Sequence, residues 1–514
     1  MASKTWRVGA LVWVAVGFLA ACGGPAGPVV GVSVAPTVAT LEPNASRTFT
    51  ATVTGATDAS VTWAATCGAV AGTGATVTYT APGTAGTCTV TARSVEEPTR
   101  TGTATVTVVA ASGGAWDRQF GTPEEDGALA VAVGPDGEVV VVGRTYGDLV
   151  VDAYEGDYDA FVVKLDADGT EVWRRQFAST GDDQATAVAV RDDGDVIVAG
   201  VTTGALFEPN AVEAGFVARL AAATGAVTWG EHVTTSSGAA ISAVALGTGG
   251  AIFVAGETAG AFAGYANPGN DDAFVAELDQ DGGLVGAYQV GSGSADRGFG
   301  VAVLPGGDVV LGGITVATLP GAAANPGGTD AFLVRLTPGA TWTEAWGPLQ
   351  IGHPTEDVSL KGVALADDGD LRLTGETDGD IGIGMFQGGG GDAYAARVVA
   401  ATGALAWVSM VGGDGVDRPA ALATAAGGVT WVVGLTQSTD LGGALGGAED
   451  AFVAAFDAEG NATTTATFGT DDVDEATGIA IAPDGLLVLV GETGGDFDGA
   501  QLGNGDGLVT KRAY

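Results

Sequence analysis

A Gly-x-Thr tripeptide recurs seven times along the C-terminal four-fifths of this 514-residue chain, and its spacing constrains the fold more than any other feature. Successive copies lie 56 to 62 residues apart. The copies are Gly143/Thr145, Gly200/Thr202, Gly256/Thr258, Gly313/Thr315, Gly375/Thr377, Gly434/Thr436 and Gly491/Thr493. A fixed period of this length indicates one supersecondary unit that is repeated in a stacked or radial array.

Each repeat predicts four β-strands. In the second repeat, β-prone runs at 185–190, 195–201, 215–220 and 227–233 are separated by Asp-Gly or Thr-Gly turns and by one longer loop. These turn residues are typical of hairpins. Four strands repeated radially form a propeller blade, so the sequence predicts an all-β fold with a seven-bladed β-propeller at residues 116–514.

The two ends of the repeat region predict how the propeller closes. The last repeat ends at Tyr514, shortly after its third strand, whereas Trp116–Phe120 (WDRQF) matches the fourth strand at 173–177 (WRRQF). We therefore expect the N-terminal strand to complete the seventh blade in a 3+1 arrangement. Such closure removes an exposed strand edge.

The repeats resemble the bacterial seven-bladed propeller repeats abbreviated SBBP. In the first repeat the matching elements are Phe120-Gly121, Asp126, 130–133, Gly143-Arg144-Thr145 and Asp159-Ala160-Phe161. The resemblance spans residues 116–514. It implies a propeller on an exported or surface-exposed bacterial protein, and it implies no particular reaction.

Residues 29–110 predict a separate β-sandwich, followed by a hinge at 111–115. Six Val- and Thr-rich runs are divided there by Gly, Pro and Asn turns, a spacing typical of sandwiches. The stretch that contains Trp63, Tyr79 and 86–92 resembles bacterial Ig-like domains, which implies a spacer or adhesive module. In an exported protein, the pair Cys67 and Cys88 predicts one disulfide.

The N-terminus predicts export and a lipid anchor. Lys4 and Arg7 flank the start of an apolar run at 8–20 that is too short to span a bilayer, as in a secretion signal. Leu19-Ala20-Ala21-Cys22-Gly23 resembles a bacterial lipobox, which implies cleavage before Cys22 and lipid on that residue. An ordinary signal peptide is the alternative. We predict a signal peptide at 1–21, a tether at 22–28 and an envelope location, periplasmic or cell-surface.

An Asp recurs where the first strand of a repeat begins. The five copies are Asp126, Asp183, Asp296, Asp417 and Asp474, while Asp357 is one position out of register and Ala239 replaces the Asp in the third repeat. One interpretation is an acidic ring that binds a divalent cation such as Ca²⁺. The other is a set of turn caps, which we favour because Asp side chains readily accept hydrogen bonds from nearby backbone N–H groups. We therefore expect no cofactor, with calcium as the alternative.

Recurring aromatic residues predict a core between the blades. Third strands carry Phe161, Phe216, Phe274, Phe332, Tyr394 and Phe452, and fourth strands carry Trp116, Trp173, Trp229, Trp346 and Trp407. Large aromatic rings bury extensive apolar surface, so both sets are predicted to pack inside. Small residues in the first strands suit a crowded central channel.

Charge and composition restrict the classes of partner and of reaction that the chain can serve. The formal net charge is −41 and no basic run occurs, which argues against nucleic acid and anionic lipid headgroups as partners. The chain has two histidines, His232 and His353, and it shows no nucleophile motif, metal-ligand set or phosphate-binding loop. The variable loops between second and third strands are the predicted interaction surface.

We therefore predict a monomeric, non-enzymatic binding or scaffolding module for an envelope protein or a glycan. Two alternatives stay open. One is a polysaccharide-acting enzyme that uses carboxylates at the channel mouth, since propellers also host catalysis. The other is an assembly scaffold, because 222–225 with Trp229, and 400–403 with Trp407, resemble the tryptophan-docking repeats of quinoprotein-like propellers.

Overall fold

The chain divides into two units, and the division falls between Val108 and Val109. The computed structural model describes residues 30–41, 46–82, 86–108, 114–151, 153–207, 213–322, 327–381, 390–443, 445–497, 502–503 and 505–514. The predicted signal peptide, Cys22, the tether and most of the hinge lie outside these residues. In the described part of the chain, no helix is long and apolar enough to cross a membrane.

The first unit is a sandwich of two four-stranded sheets. Its strands are β1 (Gly31–Ala35), β2 (Val38–Leu41), β3 (Ser46–Thr54), β4 (Val61–Ala65), β5 (Ala69–Ala71), β6 (Thr76–Thr80), β7 (Gly86–Ser94) and β8 (Thr101–Val108). The sheet orders are β1-β3-β6-β5 and β2-β8-β7-β4. Both sheets contribute to one core, with Phe49, Tyr79, Val90 and Val106 fully buried. The six predicted strands are present, and the short strands β2 and β5 were missed.

The predicted disulfide is confirmed within the sandwich. Cys67 and Cys88 are joined, with their Cα atoms 5.4 Å apart. Cys88 lies in β7 and is completely buried. The second unit contains no cysteine, so no disulfide holds its blades together.

The second unit consists of seven four-stranded blades. Counted from the innermost strand outward, the first blade is β10 (Asp126–Val133), β11 (Val139–Thr145), β12 (Asp159–Leu165) and β13 (Glu171–Phe177), and the second is β14 (Asp183–Val190), β15 (Val196–Thr202), β16 (Ala214–Leu220) and β17 (Val227–Val233). The third blade is β18 (Ala239–Leu246), β19 (Ile252–Thr258), β20 (Asp272–Leu278) and β21 (Leu284–Val290), the fourth is β22 (Asp296–Val303), β23 (Val309–Thr315), β24 (Asp330–Thr337) and β25 (Thr343–Ile351), and the fifth is β26 (Gly362–Leu365), β27 (Leu371–Thr377), β28 (Asp392–Val399) and β29 (Ala404–Val411). The sixth blade is β30 (Asp417–Ala425), β31 (Val429–Thr436), β32 (Asp450–Phe456) and β33 (Ala462–Phe468), and the seventh is β34 (Asp474–Ile481), β35 (Leu487–Thr493), β36 (Asp506–Arg512) and β9 (Trp116–Phe120).

The blades close into a ring. Innermost strands of consecutive blades lie against each other, and β34 also lies against β10. They surround a central channel of about 280 Å³ to which each blade contributes three residues from its innermost strand or, for Lys361, from just before it. β9 pairs antiparallel with β36, from Trp116 opposite Lys511 to Phe120 opposite Gly507. The predicted seven-bladed, 3+1 propeller is thereby confirmed.

The Gly of each Gly-x-Thr is required for close packing. A Cβ on Gly313 would lie 1.9 Å from the carbonyl oxygen of Arg297 and 2.8 Å from the ring of Phe332. A Cβ on each of the other six glycines would likewise lie 1.8 to 2.0 Å from a backbone carbonyl oxygen in, or just before, the first strand. None of the seven has a positive φ. In six blades the first strand carries a bulge at this point, which brings its backbone towards the glycine.

The fourth-strand tryptophans dock neighbouring blades together. Each indole N–H donates to a carbonyl in the turn between the third and fourth strands of the next blade: Trp116 to Ala167, Trp173 to Ala222, Trp229 to Gln280, Trp346 to Ala400 and Trp407 to Ala458, at 2.8 to 3.1 Å. The third blade has Gly286 at this position, and Trp342 of the fourth blade occupies the space from the opposite side. These contacts form on the face of the propeller that carries its short turns, here called the turn face.

We expect Gly313→Ala to destabilise the propeller by about 2–3 kcal/mol, because an overpacked methyl group would meet a backbone carbonyl that cannot rotate away. Gly293→Ala is the matched control, since a Cβ there meets nothing within 4 Å. Calorimetry should show a lowered unfolding temperature for the first variant alone. Equal unfolding temperatures would contradict the close-packing role.

Candidate functional site

Each blade carries a row of polar residues at the end opposite the turn face. In the first blade Asp126, Thr145 and Asp159 are paired across the first, second and third strands. The same Asp-Thr-Asp row recurs in the fourth, sixth and seventh blades. This end also bears the long loops between second and third strands and the linkers between blades, and we call it the loop face. The five sequence-predicted aspartates all occupy the first-strand position of the row.

The first-strand aspartates cap the linkers between blades. Asp126 Oδ2 accepts hydrogen bonds from the Thr122 N–H and, at 2.9 Å, from the Thr122 hydroxyl. Asp296 and Asp474 hold Ser292 and Thr470 in the same way. Asp357, out of register in the sequence, accepts instead from the Thr329 N–H at 2.6 Å. Among the residues that the structure describes, no group of three His, Cys, Asp or Glu side chains is placed to hold a metal ion.

A second set of buried aspartates begins the third strands, and sequence reasoning missed it as a set. Its members are Asp159, Asp272, Asp330, Asp392, Asp450 and Asp506, each no more than 2% exposed. The signal was present in the sequence, because an Asp-Ala-aromatic tripeptide recurs in five of the seven repeats.

Glutamine side chains use these aspartates to clamp the long loops. Gln289 Nε2 donates to Asp272 Oδ2 at 2.8 Å and to the Gly260 carbonyl at 3.1 Å, while its Oε1 accepts from the Phe262 N–H at 2.9 Å. Gln176, Gln350 and Gln119 make equivalent contacts in the first, fourth and seventh blades. Four of the variable loops are thereby fixed to the blade below them.

The junction between the second and third blades departs from this pattern. Ala214 replaces the third-strand aspartate, Ala239 replaces the first-strand one, and His232 stands where the clamping glutamine would be. A cavity of about 290 Å³ opens there, lined in part by Glu213, Glu257 and Asp271. Burial raises the pKa of Glu257, and Asp271 and Glu213 add to the rise while Arg297 opposes it.

A pair of glutamates lies at the loop-face end of the seventh blade. Glu475 and Glu492 are paired directly across the first two strands, an arrangement that is destabilising for like charges. Burial raises the pKa of both carboxyls, with Arg144 among the cations that oppose the rise. A Cβ on Gly127 of the first blade would lie 3.1 Å from Glu492 Oε2. Within the described part of the chain neither glutamate forms a salt bridge.

The acidic and aromatic loop of the first blade is held by stacking. The Tyr146 and Tyr158 rings lie 3.8 Å apart, and the Arg144 guanidinium sits 4.6 Å from the centre of the Tyr158 ring. The Tyr158 hydroxyl donates to Glu125 Oε1 at 3.0 Å. Aromatic side chains and charged groups therefore share one patch on the loop face.

No protein-family model and no curated protein sequence matches the chain. Similar solved structures include a quinoprotein alcohol dehydrogenase-like protein from Bacteroides thetaiotaomicron, at 9% identity over 84% of this chain and 94% of that chain, with a TM-score of 0.33. A Hadza microbial sialidase is similar at 11% identity over 70% and 74%, with a TM-score of 0.38. An exotype rhamnogalacturonan lyase is similar at 12% identity over 90% and 87%, with a TM-score of 0.37. At such identities and TM-scores the likeness says nothing about activity.

We expect Gln289→Ala to release the loop at 259–271, because a buried carboxylate oxygen and the Phe262 N–H would each lose a partner, at a cost of about 1–3 kcal/mol. Hydrogen exchange should show faster exchange of the Phe262 amide. The exposed Gln280, changed to Ala, is the control. Unchanged exchange in the Gln289 variant would show that the clamp does not hold the loop.

Proposed function

We propose that this protein is an exported, lipid-anchored component of the bacterial cell envelope that binds a protein or a glycan through its loop face without catalysing a reaction. The lipobox at Cys22, the Ig-like pattern of residues 29–110 and the SBBP-type repeats support this setting. Acyl chains on Cys22 would anchor the chain, since each buried CH₂ contributes about 0.8 kcal/mol.

The loop clamp is the observation that carries the binding proposal. Loops of differing sequence are each tied to a rigid blade by a buried aspartate and a glutamine. A preformed loop loses little conformational entropy when a partner binds, so more of the contact energy appears as affinity. Oδ2 of each clamping aspartate accepts a hydrogen bond from a glutamine, which gives these residues a structural role in holding the loops.

The Glu475–Glu492 pair favours a second candidate, an enzyme that acts on an envelope polysaccharide. A carboxyl with a raised pKa is suited to donate a proton to a leaving group, and a second carboxylate can act as base or nucleophile. Turnover of a polysaccharide that is lost in both Glu475→Gln and Glu492→Gln would support this candidate. The binding proposal predicts no turnover by the unmodified protein.

Affinity capture from an envelope extract tests the binding proposal. The bait is the chain from Gly23 onward, used with and without calcium. One variant has its loops at 203–213, 259–271 and 316–329 replaced by Gly/Ser segments. The control has the turns at 191–195, 247–251 and 304–308 replaced by the first-blade turn at 134–138. We expect the native bait and the control to capture the same protein or glycan and the loop variant to lose it. Equal capture by all three baits, or no capture, would contradict the proposal.

Fractionation of cells tests the anchor. We expect Cys22→Ala to move the protein from the membrane fraction to the soluble fraction, because the acyl chains have no other attachment site. The double variant Cys67→Ala/Cys88→Ala should stay with the membrane. A mature Cys22→Ala chain, with the signal peptide removed, that remains membrane-bound would rule out the lipid anchor.

A further inference from the structure

The two sets of buried aspartates meet in pairs at the blade junctions. In each blade, the residue at the first-strand position of the row donates its backbone N–H to the previous blade. The acceptor is the carbonyl of the residue just before the third-strand position, as in the bonds from Asp126 to Gly505 and from Asp183 to Tyr158. Five junctions have Asp in both positions: Asp506/Asp126, Asp159/Asp183, Asp272/Asp296, Asp392/Asp417 and Asp450/Asp474. At the junction of the fourth and fifth blades, Val358 takes the backbone position and the adjacent Asp357 faces Asp330.

The space around two glycines shows how close together the two carboxylates lie. A Cβ on Gly121 would lie 2.4 Å from Asp506 Oδ1 and 3.0 Å from Asp126 Oδ2. A Cβ on Gly469 would lie 2.9 Å from Asp450 Oδ1 and 2.7 Å from Asp474 Oδ2. At these two junctions the Gly that follows the fourth strand therefore leaves room for both acids in one small space, whereas Ala178 stands at this position beside Asp159/Asp183.

The exceptional junction shows that the two aspartates act as a unit. Between the second and third blades both are alanine, Ala214 and Ala239, although the backbone bond from Ala239 to Glu213 remains at 3.4 Å. Two independent caps would be expected to be lost separately. Joint loss indicates that each carboxylate needs the other, and a group that the two hold in common explains that need.

In the part of the chain that the structure describes, the third-strand aspartates of three pairs, and Asp330, each have one oxygen without a partner. Oδ1 of Asp159, Asp272, Asp330 and Asp506 is buried and accepts no hydrogen bond among the described residues. Their Oδ2 atoms already accept from the clamping glutamines. A buried, unpaired carboxylate oxygen beside a second carboxylate is costly. A proton on that oxygen would convert it into a donor, whereas a calcium ion would need about six to eight oxygen ligands.

We propose that the junction pairs Asp159/Asp183 and Asp272/Asp296 each bind one proton between their two carboxyl groups, so that the propeller takes up protons as it folds and these blade junctions tighten in mildly acidic conditions. The proton comes from solvent and bonds to Oδ1 of the third-strand aspartate. That O–H then donates to the first-strand carboxylate of the next blade. The junction without the pair takes no part.

The charged groups that face the Asp159/Asp183 pair are acidic. Asp159 is faced by Asp183 and Glu155, and Asp183 by Asp182. Burial raises the pKa of Asp159 to about 6, and Asp183 adds to the rise while the hydrogen bond from Gln176 opposes it. Burial likewise raises the pKa of Asp330 to about 6. Because these values exceed those of an unfolded chain, the stabilisation is complete below about pH 4 and is lost as the pH rises through about 6.

Asp159→Asn in the full chain tests the proposal, with Asp136→Asn as control because Asp136 is exposed on a turn of the same blade. We expect the unfolding temperature of the native protein to rise between about pH 7.5 and about pH 5. The Asp159 variant should lose part of that rise and take up fewer protons on folding, by up to one. The Asp136 variant should match the native protein.

Infrared spectroscopy supplies a readout that does not depend on stability. At mildly acidic pH, the protonated carboxyl band of the folded protein should weaken in the Asp159 variant and not in the Asp136 variant. Identical bands, or parallel pH profiles for all three proteins, would overturn the proposal. A rise in unfolding temperature on adding calcium at neutral pH, lost in the Asp159 variant, would also overturn it, by showing that the pair holds a cation.

Discussion

Pairing between β9 and β36 is the contact on which the whole propeller depends. It joins segments that lie 393 residues apart at the Thr510–Asp117 hydrogen bond, and no cysteine in the second unit reinforces it. Without this strand the seventh blade would present an open edge, and loosening of that blade would uncover the first strand of its neighbour. Arg512 adds a bond to Asp117 at 2.9 Å, and Lys511, almost fully buried, pairs with Asp484 at 2.9 Å.

Each junction inside the ring is fastened on at least one of its two faces. The turn face uses the docked tryptophans and the loop face uses the aspartate pairs. Between the second and third blades the aspartates are absent and Trp229 remains. Between the sixth and seventh, Thr464 stands at the tryptophan position, and the pair Asp450/Asp474 remains. This distribution gives every blade a fixed height and orientation, which in turn fixes the positions of the loops above it.

The architecture could be predicted from the sequence because every repeat carries the same short-range sequence features. The repeat period and the hairpin turns predicted the number of blades. The match between residues 116–120 and 173–177 predicted how the ring closes. Strands β2 and β5 were missed because three or four residues are too few to show alternation. Asp126, Asp296 and Asp474 accept hydrogen bonds from the linkers, as a turn-capping role requires.

Contacts between repeats were harder to predict. The partner of Asp159 is Asp183, which belongs to the next repeat, and their proximity depends on how blades pack. The cavity beside Ala239 was not predicted because Glu213, Glu257 and Asp271, which help to line it, come from separate segments that meet only in the folded propeller. The Trp342 contact was also unexpected, because this ring fills from the turn of one blade the space that the fourth strand of its neighbour leaves at Gly286. The space between these blades is thus filled by an aromatic ring that comes from a different position in the repeat.

The central claim is that a closed ring holds the binding loops in fixed positions, and peptide-resolved hydrogen exchange of the full, unliganded chain tests it most directly. The account predicts that β9 is protected as strongly as the fourth strands of the other blades. It also predicts that the clamped amides of Val150, Phe262, Leu319 and Phe497 exchange slowly. Rapid exchange of β9 together with these loop amides would contradict it, because the ring would then open readily and the loop face would have no fixed shape.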